Sequence, residues 1–197
     1  MNESSFTGAD SLALIQSMIN KAKNQFSENG TLYLVWGWTV LVCSLGHFFL
    51  QVVMKVEKPY MIWMLTWLVV IYMVYYMRKR GRLRKVKTYT DDILGYVWNA
   101  FTIMLLLSFF ISFRFLPNGY RYVNILALLL YGMPTFLSGT ILKFRPLIIG
   151  GICCWILALF AGFVDYEFHT LFLAAAVVVA WIIPGYVLKS KYKLANS

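Results

Sequence analysis

Residues 32–54 read LYLVWGWTVLVCSLGHFFLQVVM, 23 positions without an Asp, Glu, Lys or Arg. As a helix rising 1.5 Å per residue, that run measures about 35 Å, enough to cross the roughly 30 Å hydrocarbon core of a bilayer. Backbone groups facing lipid find no water to bond, so a spanning segment must pair them within itself, as a helix does. Working outward, five further stretches have the same character: Tyr60 to Met77, Ile93 to Phe113, Tyr122 to Leu142, Leu147 to Val164 and Leu171 to Leu188. The second, fifth and sixth of the six are short and are expected to stand less tilted or to thin the bilayer locally. The fold class expected is all-α, a polytopic membrane protein with six transmembrane helices in residues 31–197. An amphipathic cytoplasmic helix in residues 1–30 precedes them.

Composition leads to the same class. Of 197 residues, 60% are hydrophobic and 13% charged, whereas soluble domains are about 25% charged. So few polar side chains cannot cover a soluble globule, which excludes a classical soluble enzyme, a nucleic-acid-binding module and a disordered tail.

The net charge of +10 is chiefly a topology signal. With six spans the basic residues sort onto two sides. One side carries fourteen: Lys21, Lys23, Arg78, Lys79, Arg80, Arg82, Arg84, Lys85, Lys87, Lys143, Arg145, Lys189, Lys191 and Lys193. The other carries four, Lys55, Lys58, Arg114 and Arg121. Basic residues near span ends are retained in the cytoplasm, so both termini are expected there, and no nucleic-acid partner is implied. The seven cations between Arg78 and Lys87 also suit contact with anionic lipid headgroups, each attracted by about 1 kcal/mol near the surface.

The N-terminal segment shows its own periodicity. Thr7 and Asp10 have capping-box spacing and Gly30 supplies a stop. Between them Leu12, Leu14, Ile15, Met18, Ile19, Ala22 and Phe26 form one arc, opposite Gln16, Ser17, Asn20, Lys21, Lys23 and Asn24. Such a helix suits the headgroup layer or a protein partner. No cleavable leader is expected, because the polar breaks in these residues leave no short apolar core before a small-residue cleavage site.

Inside the spans the informative feature is an absence. All eight carboxylates, Glu3, Asp10, Glu28, Glu57, Asp91, Asp92, Asp165 and Glu167, lie in terminal or connecting segments. Ion-coupled transport commonly uses an intramembrane carboxylate, which disfavours that mechanism. Aspartyl membrane proteases need two such groups and zinc proteases a His-Glu-x-x-His helix, and the sequence contains neither arrangement. Cys43, Cys153 and Cys154 fall within spans and read as small hydrophobes.

The polar residues that remain suit helix packing or, alternatively, a pathway for a neutral or apolar solute lined by Asn99, Thr102, Asn124, Thr135 and Ser138. Gly132, Pro134 and Gly139 are expected to kink the fourth span, and Pro184 with Gly185 to bend or end the sixth. Ala158 with Gly162, and Ala176 with Ala180, have the spacing of close helix contacts. A third reading joins His47 to Asp165, Glu167 and His169 on the outer side as a metal-dependent enzyme site, although no spacing brings the two hairpins together. No catalytic residue, metal ligand or cofactor is assigned.

The strings TLYLVWGW at 31–38 and LKFRPLIIGGICCW at 142–155, with SLALIQSMIN at 11–20 before them, resemble a group of small six-helix integral membrane proteins of Bacteroidota. The resemblance covers nearly the whole chain and implies a bacterial inner membrane. It supplies no catalytic residues. The leading expectation is therefore a non-enzymatic protein of that membrane, structural or regulatory through helix packing and partner contacts.

Overall fold

A computed structural model of the chain describes residues 30–83 and 89–196, with Leu12, Gln16 and Met18 as isolated helical positions. The rest of the expected N-terminal helix, and Arg84, Lys85 and Lys87 of the basic loop, lie outside the described residues. Lys79, Arg80 and Arg82 are described in their backbone only.

Helices and turns make up the described residues, with no strand among them. Helix α1, Gly30–Phe48, continues through a π-helical turn, Phe49–Val53. A 3-10 turn, Pro59–Trp63, leads into α2, Met64–Leu83. Proline suits that start because the missing N–H would have had no helical partner. Next come α3, Tyr89–Phe115, a 3-10 turn, Gly119–Arg121, and α4, Val123–Ile141. Helix α5 is Arg145–Ala161, with a proline in its first turn. After the turn Tyr166–Phe168 comes α6, a rod in three parts: His169–Val177, a π turn Val178–Ile182, and Ile183–Asn196.

These helices match the six predicted stretches closely. Of the two outcomes expected at Pro184 and Gly185, a bend or an end, the helix does not end there: it continues to Asn196, past the predicted Leu188. A proline ring crowds the carbonyl four residues earlier and cannot donate to it, and here that carbonyl belongs to Ala180. The π turn spanning Ala180 changes the local hydrogen-bond ladder just where the proline would break it. Pro134, by contrast, lies within an unbroken α4.

Among the described residues, five stretches are long and apolar enough to cross a membrane: Gly30–Val53, Pro59–Tyr76, Asp92–Phe115, Val123–Ile141 and Tyr166–Lys191. Helix α5 is apolar but has 17 residues, a length of about 26 Å at 1.5 Å per residue.

The core lies among α1, α4, α5 and α6. Leu128, Leu147, Leu173, Val177 and Trp181 are fully buried there. Helices α4 and α5 form the tightest pair. A Cβ on Gly151 would stand 2.8 Å from the Phe136 amide nitrogen and 2.9 Å from the Gly132 carbonyl oxygen, so only glycine permits this approach. Ala176 and Ala180 are buried as their spacing suggested, whereas Gly162 is exposed beyond the end of α5. Helix α3 leans on α4 through Phe101, whose ring lies against that of Tyr131. Helix α2 packs chiefly on α1 and its own entry turn, and no residue from Pro59 to Tyr76 is buried.

Candidate functional site

Among the buried polar side chains, Thr135 lies against Trp181. The position of Trp181 in the π turn of α6 aims the indole across the bundle at α4, where Nε1 donates to Thr135 Oγ1 at 3.0 Å. Thr135 Oγ1 in turn donates to the Tyr131 carbonyl one turn earlier, at 2.7 Å. A hydroxyl can accept and donate at once, so Thr135 satisfies the indole N–H while the Tyr131 carbonyl satisfies its own O–H.

Aromatic rings surround this relay. Tyr131 and Trp181 have centroids 4.7 Å apart, Trp98 lies 6.2 Å from Trp181, and Phe101 lies 5.7 Å from Tyr131. Tyr33 of α1 meets Trp98 edge-on at 5.9 Å. Its phenol lies beside Ser138, yet neither buried hydroxyl completes a hydrogen bond of good geometry. The cluster thus joins α1, α3, α4 and α6 through ring contacts and one hydrogen-bonded pair.

The five residues read from the sequence as a solute pathway do not share one lining. Thr135 and Ser138 point inward and are buried, and Asn124 is half-buried. Asn99 and Thr102 are exposed on α3. The Thr102 hydroxyl donates to the Trp98 carbonyl of its own helix at 2.9 Å, as Thr140 does to Phe136 on α4. Hydroxyls in apolar surroundings commonly satisfy themselves in this way. Of the basic loop residues, Arg78 is exposed, and the side chains of the other six lie outside the described residues.

At the opposite end of the bundle from Gly30, the two histidines have separate partners. His47 Nδ1 accepts from Trp63 Nε1 at 2.8 Å, which pins the Pro59–Trp63 turn against α1. His169 Nε2 meets the Val164 carbonyl at 3.0 Å. Phe48 and Phe168 do come together, with centroids 6.0 Å apart. Among the described residues, however, no group of three or more His, Cys, Asp or Glu side chains is placed to hold a metal ion. A shallow cavity of about 230 Å³ opens between Arg121, Asp165, Tyr166 and Glu167. The Arg121 guanidinium lies 5.8 Å above the Tyr166 ring there.

Comparison with protein families, with curated proteins and with solved structures found no match. The functional reading therefore rests on geometry and charge.

Sequence reasoning singled out Thr135 and Ser138 but missed Trp181, the residue that organises the cluster. A signal was present. Tryptophan prefers membrane interfaces, and one placed well inside a span needs a partner for its N–H.

Proposed function

We propose that this chain is a non-enzymatic protein of the bacterial cytoplasmic membrane that crosses it six times, with both termini on the cytoplasmic side. Its role is structural or regulatory, exerted through helix packing and lateral contacts. The fourteen-to-four division of basic residues supports the orientation. The apolar Gly162, Phe163 and Val164 after α5 support a sixth crossing by extending the apolar run beyond a short helix.

One observation carries the functional reading. The Trp181 indole and the Thr135 hydroxyl, both fully buried, are spent on closing the sixth helix onto the fourth, with the Tyr131 carbonyl and ring completing one sealed unit. A fixed core of four helices then carries α2 and α3 as apolar faces open to lipid or to a neighbouring membrane protein. Anionic headgroups are the natural partners of the cations from Arg78 to Lys87.

The full chain in liposomes tests this through flux of a neutral solute such as glycerol or urea. The expected rate equals that of protein-free liposomes. A rate above that background, abolished by enlarging Ser138 to Phe, would replace this reading with a solute facilitator. Photoreactive side chains at Trp67 and Ile103, both exposed, test the lateral contacts in native membranes. Crosslinking to lipid alone would remove the protein-partner part.

A further inference from the structure

We propose that the turn between α4 and α5, together with the last turns of α6, binds the phosphate headgroup of an anionic phospholipid. This site is distinct from the basic loop at residues 78–87 and rests on the membrane reading above.

Lys143 has φ +52°, in the left-handed region. Its N–H bonds the Thr140 carbonyl at 3.1 Å, and the Phe144 N–H bonds the Gly139 carbonyl at 2.8 Å. That pair of bonds is a Schellman ending, in which the residue at this position is usually glycine. Here a lysine occupies it at a steric cost that glycine would avoid. Strain retained at one residue points to a use for its side chain.

The surroundings identify that use. Phe144 is buried, and Lys191 of α6 places its ammonium 5.4 Å from the ring centroid. Arg145 follows directly in the chain. All three cations are exposed. No carboxylate occurs in Val123–Ile141, Arg145–Ala161 or His169–Asn196, the helices that meet here. Lys143 and Arg145 flank Phe144 in the chain and Lys191 stands over its ring, so three positive charges come to this end of the bundle and favour an anion there.

The adjoining surface favours a lipid over a free phosphate compound. Arg145, Ile149, Ile152 and Ile156 recur at spacings of four, three and four, along one face of α5. The three isoleucines are 56%, 41% and 46% exposed. A cationic site continued by an apolar stripe has the order of a phospholipid, headgroup first and acyl chain after it.

The test uses the full chain in phosphatidylcholine vesicles doped with phosphatidylglycerol that carries a photoreactive acyl chain, with labelled peptides mapped. Label is expected on residues 145–156. It should fall about a hundredfold in the K143Q/R145Q/K191Q variant, given an attraction of about 1 kcal/mol from each basic residue near a membrane surface. Label on α2 should be unchanged, whereas a chain that failed to insert would lose label everywhere. Lys143→Gly serves as the folding control and should raise the thermal midpoint while still reducing label at 145–156. Equal labelling by photoreactive phosphatidylcholine, or undiminished labelling of the triple variant, would overturn the proposal. Displacement of the label by inorganic phosphate would assign the site to a soluble phosphate compound and overturn the lipid.

Discussion

The Trp181 indole donates to the Thr135 hydroxyl at 3.0 Å across the contact of the sixth helix with the fourth, and both side chains are fully buried. This is the one side-chain hydrogen bond between helices that sits within the aromatic cluster of the described residues. Thr135→Val keeps the shape but leaves the indole N–H without an acceptor, and should cost about 1–3 kcal/mol. Trp181→Phe removes the donor. A double-mutant cycle with the pair T135V and W181F, read by unfolding in detergent micelles, should return a coupling of about 0.6–1.7 kcal/mol, the range found for hydrogen bonds between membrane helices. Additive single effects would mean that the bond does not hold the helices together.

Glycines at two positions should respond in opposite directions to the same change. Gly151→Ala places a methyl against the backbone of Phe136 and Gly132, and overpacking of this kind should destabilise by about 1–3 kcal/mol. Gly95 has nothing within 4 Å of where its Cβ would stand, so Gly95→Ala should stabilise α3 by about 0.5–1 kcal/mol. Thermal midpoints of the two variants, compared in one detergent, check both signs.

The contrast between core and periphery leads to a third expectation. Leu128 is completely buried, and Leu128→Ala should cost about 2–5 kcal/mol through lost contacts and a residual cavity. Trp67 on α2 is 65% exposed, and Trp67→Ala should change stability by no more than about 0.5 kcal/mol. A large loss at Trp67 in native membranes, absent in detergent, would show a neighbour packed on that face.

Orientation can be read chemically. With Cys43, Cys153 and Cys154 replaced, single cysteines at Lys58 and Arg145 should react with an impermeant maleimide from opposite sides. The outside reagent should label position 58 in intact cells and position 145 only after permeabilisation. The reverse pattern would invert the topology.

The α4 helix shows how far reading residues in order can go. Its length and position were evident because an apolar run must be helical in hydrocarbon. The inward direction of Thr135 and Ser138 was not evident, since an apolar helix carries no polar face to orient it. Asn99 and Thr102 were grouped with them as polar residues within spans, a property that carries no direction, and lie instead on the exposed side of α3. The π turn of α6 was also hidden. Pro184 announced a disturbance, but whether the helix ends or absorbs it depends on what packs around Ala180.

By itself, then, the order of the residues determined the all-α class, the six helical stretches and the division of positive charge, because each follows from local composition measured against a bilayer. Only the tertiary structure decided that Trp181 bonds Thr135, that Lys191 reaches Phe144 and that no residue from Pro59 to Tyr76 is buried. Those facts depend on contacts between residues 46 and 47 positions apart, or on the absence of such contacts, and in a uniformly apolar chain close packing selects them without leaving a periodic trace.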